Sequence, residues 1–163
     1  MYVDLKKPTL FLFTDASADP QTGIGYGAYL LIPEFNLEAP ISKHKIKTKK
    51  FKNTTSSKLE LETLLWALSK IPTRKCKIIV YTDCQNIINL KNREERIVKN
   101  NYMNKKNVLI KNHKLYKKFY TVTDHYECDF IKVKGHKKTK DKDMVDIFFT
   151  LVDKASREAL RKR

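Results

Sequence analysis

Apolar and polar residues along this chain fall into blocks whose period tells strand from helix. Two blocks resemble each other closely: Leu10-Phe11-Leu12-Phe13-Thr14-Asp15 and Ile78-Ile79-Val80-Tyr81-Thr82-Asp83. Short apolar runs rich in β-branched and aromatic residues predict buried strands, so each is expected to deliver a carboxylate at or near its C-terminal end. The first strand is predicted over Thr9 to Asp15, before a turn-rich stretch from Ala16 to Gly23 that holds Asp19-Pro20. Gly25 to Ile32 reads as a second strand, closed by Pro33-Glu34. Residues Ile41 to Lys52 alternate Ile41, Ile46 and Phe51 among lysines, the pattern of a charge-guarded edge strand.

The pattern then changes period. Leu61, Leu64, Leu65 and Leu68 fall at i, i+3, i+4 and i+7, which predicts a helix over Ser57 to Lys70. Ser57 and Glu60 have the spacing of a capping box, and Pro72 ends the element. Cys76 to Asp83 is the fourth strand, Gln85 to Leu90 begins a helix that Asp83 could cap, Tyr126 to Val133 is a fifth strand, and Asp143 to Arg161 is a C-terminal helix. The order βββαβα…βα predicts one α/β domain over residues 1–163, with strands 1–3 an antiparallel meander and a helix crossing between strands 1 and 4.

Charge adds a partner to this picture. The chain has 34 Lys and Arg against 18 Asp and Glu, a net charge of +16, which points to a polyanion, most often nucleic acid. Between Lys91 and Thr121 stand ten cations (Lys111, Lys114 and Lys117 among them) against Glu94 and Glu95 only. Tyr102, Tyr116, Phe119 and Tyr120 sit among these cations. Such a segment reads as a basic protrusion contacting phosphates and sugars, or as a solvated helical face whose aromatics anchor it. Met1 to Lys7 lacks the apolar core of a signal peptide, and no run reaches the length of a membrane span. Cys76, Cys84 and Cys128 fit neither a zinc pattern nor a disulfide framework. The expectation is a cytoplasmic protein.

In this basic background, Phe13-Thr14-Asp15-Ala16-Ser17, Gly25-Tyr26-Gly27-Ala28, Thr54-Thr55-Ser56-Ser57-Lys58-Leu59-Glu60-Leu61, Tyr81-Thr82-Asp83-Cys84-Gln85 and Val133-Lys134-Gly135-His136 occur in an order and spacing that resemble type 1 ribonuclease H. The resemblance spans almost the whole chain. It implies the RNase H-like fold: a five-stranded mixed sheet, strands 1–3 antiparallel and strands 1, 4 and 5 parallel, with flanking helices. It also implies an endoribonuclease that cuts the RNA strand of RNA·DNA hybrids, leaving 5′-phosphate and 3′-hydroxyl ends; nothing in the sequence demands more than a monomer. Two Mg²⁺ ions, replaceable by Mn²⁺, would be held by four carboxylates. Hard cations that keep part of their water shell need only a few such oxygens, and two of them about 4 Å apart can serve an in-line phosphoryl displacement.

Residue by residue, the resemblance assigns Asp15, Glu60 and Asp83 as catalytic metal ligands. Glu62 is the other candidate on its helix, and helical phase alone does not separate it from Glu60. For the fourth acid, spacing from His136 favours Asp146, whereas the small residues after Asp153 fit the family pattern better than the bulky Ile147-Phe148-Phe149 after Asp146. Asp153 is therefore the chosen residue, which leaves a long loop, 134–142, around His136. That histidine is expected to assist proton transfer and product departure. Clustered acids are expected to have raised pKa values without metal. Ser17, Ser56, Ser57 and Gln85 match positions that bind the two strands in the minor groove, and Lys111, Lys114 and Lys117 lie in the segment resembling the protrusion that grips DNA. Ala16 replaces a common glycine, and Ser56-Ser57 an asparagine pair. The rival readings are a non-catalytic binding module of the same fold and a DNA nuclease of the resolvase or transposase type.

Overall fold

A computed structural model of the chain describes residues 7–36, 39, 45–134, 138 and 143–163. Five strands, β1 (Thr9–Asp19), β2 (Ile24–Pro33), β3 (Lys47–Phe51), β4 (Lys77–Thr82) and β5 (Glu127–Lys132), form one sheet in the order β3-β2-β1-β4-β5. The pairs β1–β2 and β2–β3 are antiparallel; β1–β4 and β4–β5 are parallel. This is the expected mixed sheet. Helices α1 (Ser56–Ser69), α2 (Gln85–Asn92), α3 (Glu94–Lys99), α4 (His113–His125) and α5 (Met144–Arg161) complete it. None of them is long and apolar enough to cross a membrane.

The strand period of two divides β1 between two cores. Leu12 joins the leucines of α1 and Phe119 and Tyr120 of α4 on one face. Phe11 and Phe13 meet Phe148, Phe149 and Val152 of α5 on the other. Full burial of side chains such as Phe13 and Phe148 contributes roughly 1.5–3 kcal/mol each, so both faces of the sheet are clamped. Gly27 lets α1 approach closely: a Cβ there would lie 2.1 Å from Thr63 Oγ1.

Four local expectations change. The first strand does not end at Asp15; it continues to Asp19, because the small Ala16, Ser17 and Ala18 pair with Gly27, Tyr26 and Gly25 of β2. The turn comes later, where Gly23 (φ 70°) donates to the Asp19 carbonyl at 3.0 Å. Helix α1 is capped by Thr55, not Ser57: Thr55 is extended and its side chain accepts from the Lys58 N–H. Cys84 rather than Asp83 is the N-cap of α2, with no side-chain cap bond. The third strand is shorter than expected, and residues 41–44 lie outside the described ones. In the basic segment Phe119 and Tyr120 are buried, and Tyr102 and Tyr116 pack on the same core. These rings anchor the segment, while Lys111, Lys114 and Lys117 are exposed.

Candidate active site

The two Thr-Asp ends meet because of register. Parallel pairing of β1 with β4 stops at Phe13↔Tyr81, and Asp15 and Asp83 each stand two residues beyond it. The strands thus part where the two carboxylates begin. Asp15 shares a face with Phe13 and so points to the α5 side, whereas Asp83 follows the end of β4 at the solvent rim.

Glu60 reaches the same point from the first turns of α1. It accepts from the Ala16 backbone N–H and shares a hydrogen bond with Asp15. Glu62 turns elsewhere and accepts from Thr54 Oγ1 at 2.6 Å. Oxygens of Asp15, Glu60 and Asp83 all lie within 4.8 Å of one another.

The α5 stripe Phe149, Val152, Asp153, Ser156 supplies the fourth acid. Its apolar members pack against the sheet, and the next turn carries Asp153 into hydrogen-bond contact with Asp15. Asp146, two turns earlier and about 10.5 Å along the helix axis, forms a reciprocal capping box with Asp143. The structure therefore brings Asp153, and not Asp146, to Asp15, Glu60 and Asp83. Arg157 lies over this rim and binds Asp153 Oδ1 at 3.0 Å.

Four acids this close repel one another. Burial first, then the Glu60 charge, pushes the Asp15 carboxyl up to about 9. Burial and the Asp83 charge push Glu60 up to about 8, against the Ala16 N–H that favours its anion. Asp83 is raised by partial burial and by Asp153, with Lys132 and Arg157 opposing. Glu60 Oε2 is buried without a hydrogen-bond partner, an arrangement that costs free energy unless a cation completes it. Orphaned oxygen, hard donor set and mutual repulsion all fit divalent metal ions.

Among the other expected residues, Gln85 opens α2 beside Asp83, exposed and accepting from Lys132 Nζ at 2.6 Å. Ser56 and Ser57 are exposed in the first turn of α1. Ser17 Oγ lies 3.0 Å from Ser156 Oγ. Lys111 lies two residues before α4 and Lys114 and Lys117 within its first turns, with Lys117 Nζ 5.9 Å from the Tyr102 ring centre. His136 lies outside the described residues. Sequence reasoning missed Arg157, Ser156 and the Ala16 N–H. The i, i+4 spacing of Asp153 and Arg157 signalled the first; nothing in the sequence signalled the other two.

Comparison with known proteins gives a consistent result. The RNase H family model matches residues 7–154. The chain is 28% identical over 137 residues to the ribonuclease H of Caldanaerobacter subterraneus subsp. tengcongensis, covering 83% of this chain and 84% of that protein. It is 31% identical over 115 residues to the ribonuclease H of Clostridium botulinum, covering 69% and 76% respectively. Among solved structures, LC9-RNase H1, a type 1 RNase H with the type 2 active-site motif, has the same fold. It superposes with a TM-score of 0.72 at 15% identity, over 96% of this chain and 74% of the other.

Proposed function

This chain belongs to the RNase H family and is a ribonuclease H enzyme, and we propose that it hydrolyses the RNA strand of RNA·DNA hybrids at the four-carboxylate cluster. Two Mg²⁺ ions, or Mn²⁺ in their place, would serve the reaction, leaving 5′-phosphate and 3′-hydroxyl ends. The observation that carries this reading is a buried Asp15 that hydrogen-bonds Glu60 and Asp153 and lies within 4.8 Å of Asp83, in a chain of net charge +16. When bound, such an ion pair activates water, orients the scissile phosphate and stabilises the leaving oxygen.

The chain's own residues supply the rest. Asp15, Glu60, Asp83 and Asp153 present the oxygens; Lys132 and Arg157 temper the charge of Asp83, and Arg157 also pairs with Asp153. Ser56, Ser57 and Gln85, exposed on the helix ends that flank the acids, would touch the two strands in the minor groove, where 2′-hydroxyls distinguish RNA from DNA. To His136, by its resemblance alone, falls proton transfer at product departure. Lys111, Lys114 and Lys117 hold the DNA strand's phosphates.

Labelled hybrid, duplex RNA and duplex DNA incubated with Mg²⁺ test the reading. Cleavage of the hybrid's RNA strand alone is expected; an intact hybrid would leave only a binding module, and cut duplex DNA would favour a resolvase-type enzyme. Replacing Lys111, Lys114 and Lys117 by alanine is expected to weaken hybrid binding and to flatten its dependence on salt. The log–log slope should become shallower by about one for each phosphate that the variant no longer neutralises. An unchanged slope would remove α4 from the interface.

A further inference from the structure

Beyond Phe13, β1 is paired on one side only. Its bonds to β4 have ended, and from Thr14 to Asp19 β2 is the only strand that pairs with it. Asp15 stands in this half-supported stretch, yet it must keep its distance from Asp153 on a separate helix.

Three alternate β1 residues, all on one face, meet the α5 side. Asp15 bonds Asp153, Ser17 Oγ lies 3.0 Å from Ser156 Oγ, and Asp19 Oδ2 pairs with Arg163 at 2.6 Å. The middle contact is fully buried on the helix side, with Ser156 at 0% exposure. A hydroxyl has one proton to donate and lone pairs to accept. Ser156 Oγ–H donates to the Asp153 carbonyl at 3.0 Å, so the Ser17 hydroxyl donates to Ser156. The result is one chain of hydrogen bonds running from the strand just past Asp15 to the backbone of Asp153 itself.

We propose that Ser156 and Ser17 are positioning residues of the acid cluster: their hydroxyl chain sets the spacing of Asp15 and Asp153 at which divalent metal binds. The inference rests on the metal-centre reading above and gives Ser17 a different task from substrate contact, since its proton is committed to α5. Partners that orient metal ligands from outside the coordination shell typically change metal affinity by about 10–100-fold when removed. Alanine at position 156 keeps the helix, being its best former.

The test is calorimetric binding of Mn²⁺ to metal-free wild type, Ser156→Ala, Ser17→Ala, the double variant and Ser17→Thr, with KM for a labelled hybrid measured at saturating Mn²⁺. Ser156→Ala and Ser17→Ala should each weaken Mn²⁺ binding by about 10-fold without raising KM. The double variant should lose no more than either single one, because both break one chain. Ser17→Thr, which restores the hydroxyl, should restore affinity. Unchanged Mn²⁺ affinity in Ser156→Ala overturns the proposal, as does a raised KM with intact Mn²⁺ affinity in Ser17→Ala. Wild type that binds no Mn²⁺ would instead overturn the metal-centre reading itself.

Discussion

Asp15→Asn should lose hybrid cleavage by about 10³-fold or more while binding the hybrid within about threefold of wild type. The magnitude follows from metal assistance worth several kcal/mol of transition-state stabilisation, at about 1.4 kcal/mol per decade. Asp15 is chosen because it hydrogen-bonds Glu60 and Asp153 and lies within 4.8 Å of Asp83, so its loss disturbs every ligand at once. The amide has the same shape, and burial at 4% exposure leaves the hybrid-facing surface as it was. Single-turnover cleavage and fluorescence anisotropy on the same labelled hybrid separate the two effects. Activity within tenfold of wild type would mean that the cluster is not the reacting centre, and equal loss of binding would make Asp15 structural.

The second large effect is on stability. A carboxyl whose folded pKa lies above its unfolded value holds its proton more tightly in the folded state. Its contribution is complete below the unfolded value, near 4, and is lost as pH rises through the folded one. For Asp15 and Glu60 the folded values are about 9 and about 8. The metal-free protein should therefore become progressively less stable between about pH 4 and about pH 9. The two acids share the penalty, because ionising one raises the other. A combined loss of several kcal/mol corresponds to a fall in Tm on the order of 10 °C for a chain of this size. Millimolar Mg²⁺ should restore most of it at about pH 8.5 and little at about pH 5, where the acids hold their protons. Thermal melts in chelator and in Mg²⁺ across this range check it; a metal-free Tm that rises from pH 5 to pH 8.5 would show the acids to be ionised without cost.

Much of this architecture was legible in the residues. The short apolar runs before Asp15 and Asp83 read as strands, and the leucine stripe from Leu61 to Leu68 as a helix. Register was not legible. That Phe13 lies opposite Tyr81, and so sets the two acids side by side, depends on how the whole sheet assembles. Glu60 and Glu62 could not be separated by helical phase, because the decision is made off the helix, by the Ala16 N–H for one and by Thr54 for the other. The cap of α1 was misassigned because Thr54 to Ser57 offers four cap-forming hydroxyls. Tertiary bonds choose among them: Thr54 donates to the Gly23 carbonyl and to Glu62, which leaves Thr55 at the helix start.

The C-terminal acids show the same division. Small residues after Asp153 point to it, and the Asp143-x-x-Asp146 spacing is that of the reciprocal cap in which Asp146 is engaged. The aromatics of the basic segment were ambiguous for a physical reason. A ring among lysines can stack on a nucleotide or bury itself, and only the neighbouring core, here reaching Phe119 and Tyr120, decides.

Four carboxylates, from β1, α1, the end of β4 and α5, would together hold two divalent ions. Counting Mn²⁺ bound per chain, in the presence of a hybrid made non-hydrolysable at its RNA strand, tests it most directly. Wild type and Asp146→Asn should each bind two ions, and Asp153→Asn should lose at least one. One ion or none in wild type, or two ions kept in Asp153→Asn and lost in Asp146→Asn, would contradict the account.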